Sequence, residues 1–224
     1  MKILCELRIC TNIQDSYLFK TNQLVNNELR LQQYITGINK FIELNNKNIN
    51  ENIIDVYITD NTISSENTLD KLLLDIIPKN VKIITCINNN YGCFNKGAGD
   101  IEQWLYCKDL IKEYDWIIHF EPRQMLLSNQ FIDSFIENPR NLFSLGGPYN
   151  TKDLNSNYHF NTGLFCIESK LLIEFINGIN LHTYKESIEY TFFNFFKNKN
   201  YTYDIIDKLD LLWHDSYAQK DYLM

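Results

Sequence analysis

The chain has 224 residues, 45% of them apolar, and a net charge of −7, so it can build a sizeable core. The basic residues are mostly lysine, the only arginines are Arg8, Arg30, Arg123 and Arg140, and no basic run occurs, which argues against a nucleic-acid groove. Glu6 and Arg8 interrupt the first apolar stretch and no apolar run reaches membrane-span length, so the expectation is a cytoplasmic protein without a transmembrane segment.

In chain order, Lys2 to Cys10 reads as a strand and Asn26 to Leu44 as a helix with Leu31, Tyr34, Ile35, Ile38, Phe41 and Ile42 on one face. Ile53 to Thr59 is a second strand, ending at Asp60-Asn61. Thr68 to Ile77 is a short helix stopped by Pro78, and Val81 to Ile87 is a third strand. A polar loop with glycines runs from Asn88 to Gly99. Asp100 is placed to cap a helix over Ile101 to Glu113, and Trp116 to Phe120 is a fourth strand. Strands alternating with helices predict an α/β fold, a mostly parallel sheet with helices on both faces.

The second half is less regular. Helices are expected over Ser128 to Ile136, Leu171 to Ile176 and Ser187 to Lys197. Strands are expected over Phe160 to Ile167, Tyr201 to Ile206 and Leu211 to Trp213, with a turn at Gly146-Gly147-Pro148. No repeat and no long linker is visible, so residues 1–224 read as one domain, with halves 1–125 and 126–224. The six cysteines show no C-x-x-C spacing; Cys5, Cys86 and Cys166 lie inside apolar strands and read as buried thiols rather than zinc ligands.

Ligands of open parallel sheets bind at the carboxyl ends of the strands. That edge is expected to carry Thr11-Asn12, Asp60-Asn61, the loop from Asn88 to Asp100, and His119-Phe120-Glu121. His119 and Glu121 alternate about Phe120, so extended backbone would send both metal-capable side chains to one face. Glu186 and Glu189 are three apart and would share a helix face.

In this order the motifs resemble the GT-A-fold glycosyltransferases that use nucleotide sugars. In that family an apolar strand runs into D-x-D, and an N-x-G strand, an acidic helix start and sometimes a late histidine follow. Here the matching positions are His119-Phe120-Glu121, Asn161-Thr162-Gly163, Glu186 with Glu189, and His214. The resemblance implies a Rossmann-like nucleotide-sugar half followed by an acceptor half, with a UDP-sugar as donor and a glycan as acceptor. It implies base and ribose contacts from Thr11, Asn12 and Asp60, and a loop carrying Lys96 and Asp100 that closes on the donor. Asn161 would contact the sugar or the acceptor. Glu189 would be the base of an inverting transfer, with Glu186 the alternative.

The first aspartate of D-x-D is replaced by His119. If His119, Glu121 and His214 hold a metal, imidazole favours Mn²⁺ over Mg²⁺. The alternative is metal-independent transfer with Lys96 and Arg123 on the diphosphate. Residue types alone also allow a helix cap at Asp100, an ion pair between Arg123 and Glu121, and a surface histidine at His214. Two other functions stay open: a non-catalytic sugar- or nucleotide-binding domain on a degenerate transferase scaffold, and a non-haem iron oxygenase built on two histidines and one carboxylate.

Overall fold

The computed structural model describes residues 1–12, 27–146, 159–215 and 220–224. The first half gives β1 (Ile3–Arg8), α1 (Asn27–Asn50), β2 (Asp55–Asp60), α2 (Lys71–Leu74), β3 (Lys82–Thr85), α3 (Lys96–Tyr106), α4 (Lys108–Ile111) and β4 (Trp116–Phe120). The second gives β5 (Met125–Leu126), α5 (Gln130–Glu137), β6 (Leu142–Phe143), β7 (Leu164–Glu168), α6 (Ser169–Asn177), α7 (Ile188–Lys199), β8 (Asp204–Ile205), β9 (Leu211–Asp215) and β10 (Lys220–Leu223).

The main sheet runs β3-β2-β1-β4-β7-β6-β8. Its first four strands are parallel, as the β-α alternation predicts. β7 then joins antiparallel to β4, so both halves of the chain share one sheet. A second, antiparallel sheet runs β10-β9-β5.

Each face of the main sheet has its own core. Alternate β4 residues divide between them: Ile118 and Phe120 pack with Phe41 of α1 and Phe131 and Phe135 of α5, while Ile117 packs with Trp104 of α3, Phe175 of α6 and Phe192 of α7. The second core is aromatic. Phe143 stacks on Phe160 at 4.0 Å between centroids, and Phe192 and Phe196 meet Phe143 edge-on.

Three helices of the first half differ from the sequence reading. α1 continues to Asn50 because its asparagine-rich end stays helical: Asn45 Nδ2 donates to Phe41 O, and Ile49 is buried. α2 is only four residues long, capped by Asp70, whose carboxylate accepts from Leu72 N–H at 2.8 Å. α3 starts at Lys96, not Ile101, and its cap is Asn95, whose side chain accepts from Ala98 N–H. Asp100 therefore lies inside the helix and is not its cap. Gly146 has φ 75°, a turn conformation, whereas Gly147 and Pro148 lie outside the described residues.

Candidate functional site

The strand order reverses between β1 and β4, which makes their carboxyl ends the switch point of the sheet. β1 ends there at Arg8. β4 ends at Phe120, and the chain turns at once over Glu121 to Gln124, where Gln124 N–H donates to Glu121 O at 3.0 Å. α3 begins nearby with Lys96 and Asp100. Together with Arg30 from α1, these elements line one pit: Arg8, Arg30, Lys96 and Arg123 with Asp100 and Glu121.

Four cations thus face two carboxylates. Arg8 pairs with the buried Asp100, and Lys96 Nζ lies 3.7 Å from Glu121 Oε2. Burial alone would raise the Glu121 carboxyl, but Lys96, then Arg123, His119 and Arg8 outweigh it and lower it to about 2. Among the described residues, Arg8 Nε is a buried donor without a hydrogen-bond partner. The pit keeps a cationic surplus even after both carboxylates are counted.

Two glycines bring the parts this close. At Gly37 in α1, a Cβ would stand 1.9 Å from Pro122 O and 2.5 Å from Gln124 O, so only glycine lets the turn carrying Glu121 and Arg123 settle on the helix. At Gly97 in α3, a Cβ would meet Ile188 Cβ at 2.8 Å, which sets the distance between the starts of α3 and α7. Between β3 and α3, the Glu102 carboxylate accepts three successive backbone N–H groups, from Asn90, Tyr91 and Gly92, at 2.8 to 2.9 Å.

The pit opens into a larger cleft of about 880 Å³, near the upper end of ordinary ligand pockets. Lys96, Asp100 and Arg123 belong to both. The far walls carry Asn161, Glu186, Glu189, Tyr184, Tyr190, Trp213 and His214. On the other side of the pit, Thr11 and Asn12 line a third hollow of about 560 Å³ with Arg30, Tyr34, Ile63 and Ile87. Three connected spaces therefore follow the carboxyl edge of the sheet.

Of the residues expected at the site, Lys96, Asp100, Arg123, Asn161, Glu186, Glu189 and His214 line one cleft. Glu186 lies before α7, not in it: the helix starts at Ile188, so only Glu189 is on its first turn. Asn161 Oδ1 accepts from Gly163 N–H at 2.8 Å, holding the turn into β7. Asp60 is fully buried and works through its neighbours. Its carboxylate takes the Thr11 and Thr62 N–H groups at 2.9 and 2.7 Å, fixing the loop after β1 to the end of β2.

The trio His119, Glu121 and His214 is not brought together. β4 stops at Phe120, one residue before Glu121, whose N–H still donates to Gly163 O at 2.8 Å. His119 is 1% exposed, stacked on Phe165 and edge-on to Trp104, and its Nδ1 is bonded to Glu6 Oε2 at 2.8 Å. Glu121 faces Lys96 and the pit. His214 Nδ1 is bonded to Asp221 Oδ1 at 2.8 Å. Among the described residues, no three His, Cys, Asp or Glu side chains come together as a ligand set. These donors do not fit a resident Mn²⁺. The iron oxygenase alternative meets the same geometry, and its jelly roll is not this α/β fold.

Sequence reasoning passed over Arg8, Arg30, Glu6, Gly37 and Glu102. The two arginines had a signal, since they are half of the arginines in the chain and lie on the first strand and the helix after it. Glu6 accepts from Thr59 Oγ1, Trp104 Nε1 and His119 Nδ1, each at 2.8 Å, tying β2, α3 and β4 to β1. Nothing in one sequence marks that convergence.

No protein-family model matches the sequence, and no curated protein matches it. Solved structures match the fold. The 4-diphosphocytidyl-2C-methyl-D-erythritol synthase of Anaerococcus prevotii DSM 20548 superimposes with TM-score 0.52 at 10% identity, over 92% of this chain and 88% of that one. Mouse xyloside xylosyltransferase 1 in its apo form gives TM-score 0.50 at 10% identity, over 92% and 84%. The glycosyltransferase GlyE of Streptococcus pneumoniae TIGR4 gives 0.52 at 10%; the match spans 92% of this chain and 45% of that longer chain. The fold is Rossmann-like and GT-A-like. At such identities the likeness establishes architecture alone. Among the described residues, no helix is long and apolar enough to cross a membrane.

Proposed function

We propose that this protein is a glycosyltransferase that moves a sugar from a nucleoside-diphosphate donor, UDP-linked in our reading, to a glycan hydroxyl. One observation carries the reading: the cleft is polarised, cationic at the switch point and acidic with aromatic walls at its far end. A diphosphate matches the first end. The second end suits a neutral hydroxyl acceptor better than a phosphomonoester, which Glu186 and Glu189 would repel. That contrast favours glycosyl transfer over nucleotidyl transfer.

In this reading Thr11 and Asn12 border the nucleoside, and Arg8, Arg30, Lys96 and Arg123 hold the diphosphate. The acceptor oxygen forms a bond to the anomeric carbon as the bond from that carbon to the β-phosphate oxygen breaks. The bonding pair leaves with the nucleoside diphosphate, and the cations stabilise the charge that develops there. Glu189 takes the acceptor proton, which gives inversion at the anomeric carbon. The pit arginines and Lys96 stand in for a divalent ion, a role supported by the cationic surplus.

The test is UDP release from a set of UDP-sugars, with Mn²⁺ and with EDTA. Release that persists in EDTA is the expected result, with the product anomer read by NMR. Release only with Mn²⁺ would remove the metal-independent part. No release from any nucleotide sugar, with retained UDP binding, would make the protein a binding module instead.

A further inference from the structure

We propose that Asn95 is a positioning residue for the transfer, the tie that fixes the spacing between Lys96 at the leaving diphosphate and Glu189 at the acceptor; the roles of those two residues rest on the glycosyl-transfer reading. Lys96 is the first residue of α3, directly after Asn95, and Glu189 is on the first turn of α7. Both line the cleft. The reaction needs both at a fixed spacing, because the acceptor proton is taken as charge develops on the leaving group.

The residue type says more than a cap requires. Serine, threonine and aspartate cap helices as asparagine does, since each offers a side-chain oxygen to a backbone N–H. Of these four, only asparagine also carries amide N–H donors. Asn95 uses both ends of its amide. Oδ1 accepts from Ala98 N–H at 3.1 Å, within α3, and Nδ2 donates to Glu186 O at 3.0 Å, 91 positions further along the chain. Its own backbone N–H donates to Tyr91 O at 3.0 Å.

The start of α7 takes its position from these outside contacts. Among the described residues, its N-cap Ser187 makes no side-chain capping bond. The carbonyl just before Ser187 is the one Asn95 binds, and the residue just after it, Ile188, sits against Gly97. Packing at Gly97 resists approach of the two helix starts, whereas a hydrogen bond resists their separation. A second tie runs alongside: Tyr91 OH is bonded to the His182 ring, and Tyr91 N–H donates to Glu102 of α3 at 2.8 Å. Phe160 N–H donates to Glu189 O at 3.4 Å, and Ile188 is buried in the aromatic core. Cutting the Asn95 tie therefore shifts Glu189 without releasing α7.

Asn95→Ser separates the tie from the cap. It keeps a neutral capping oxygen but is too short to reach Glu186 O. Hydrogen exchange with and without UDP reads the coupling. UDP should slow exchange at the starts of both α3 and α7 in wild type, and only at α3 in Asn95→Ser. UDP release from the UDP-sugar turned over fastest reads the consequence. At saturating donor it should fall about tenfold in Asn95→Ser, with donor KM within about twofold and the urea midpoint near that of wild type. In a Glu189→Gln background the same substitution should lower release no further, because the tie acts through Glu189; a merely structural role would lower both backgrounds alike. A wild-type rate in Asn95→Ser, an equal fall in the Glu189→Gln background, or UDP protection at α7 that survives the substitution would each overturn the proposal. Failure of the transfer reading looks different. No UDP binding, or UDP binding without turnover of any UDP-sugar by wild type, would remove the reaction and with it this role, whatever exchange at α7 shows.

Discussion

Gly37→Ala sets two known effects against each other, and the structure says which wins. In an ordinary helix interior this change stabilises by about 0.4–1 kcal/mol, because alanine loses less backbone entropy on folding. Here the new Cβ would lie 1.9 Å from Pro122 O and 2.5 Å from Gln124 O. Both are backbone atoms, so no side chain can rotate away. Reaching ordinary contact requires the turn to move by about 1.5 Å or α1 to retreat by as much, and overpacking of that kind costs about 1–3 kcal/mol. The net expectation is a loss of about 1–2 kcal/mol, read from urea unfolding of wild type and variant. The same displacement moves Arg123, so UDP affinity should fall by up to about 100-fold, as for other misplacements of that size. A variant more stable than wild type would show that the turn does not rest on α1 as described. Lost stability with unchanged UDP affinity would instead remove the turn from the donor site.

Glu189→Gln should lower transfer by orders of magnitude while leaving UDP affinity within about twofold, since only the proton acceptor is lost; near-normal turnover would exclude that role. The Glu121 carboxyl is lowered from its ordinary 4.5 to about 2, so it adds stability that is present above 4.5 and lost as pH falls towards 2. At neutral pH that contribution is on the order of 3 kcal/mol, and the stability gap between wild type and Glu121→Gln should narrow across that acid window; a gap constant with pH would contradict it. Glu6→Ala leaves the Trp104 and His119 donors without their acceptor in the core, and should cost about 3 kcal/mol or more in urea unfolding, against less for Glu6→Gln. A loss below about 0.5 kcal/mol would mean those donors find other partners.

The parallel half of the sheet was readable because its strands are apolar runs separated by amphipathic segments, and that period survives in one sequence. β5 and β6 were not, because two-residue strands carry no period and exist only through their neighbours, whereas β8 lies inside the strand expected over Tyr201 to Ile206. The start of α3 was misplaced for a local reason. Gly97 and Gly99 weigh against helix, yet they are there for close contacts: Gly97 against Ile188, and Gly99 against Gly92. Asp100 lines the cleft and is not a cap, and its partner Arg8 is 92 positions away in the chain. His119 shows the limit of strand arithmetic. Alternation says which face a side chain takes, not what it meets there, and His119 meets Glu6, Phe165 and Trp104. That Lys96, Arg123, Asn161 and Glu189 line one cleft was legible because the carboxyl edge of such a sheet is where its crevice lies.

The five-residue ladder between β4 and β7 has a mechanical meaning. The strand that delivers Glu121 to the cationic pit is sewn directly to the strand that follows Asn161 into the cleft. Swinging the two walls apart as rigid lobes would tear that seam. The gap between the two ends of the cleft is therefore set like the jaw of a fixed gauge. In the proposed transfer, the distance from leaving group to acceptor is then held by the sheet itself.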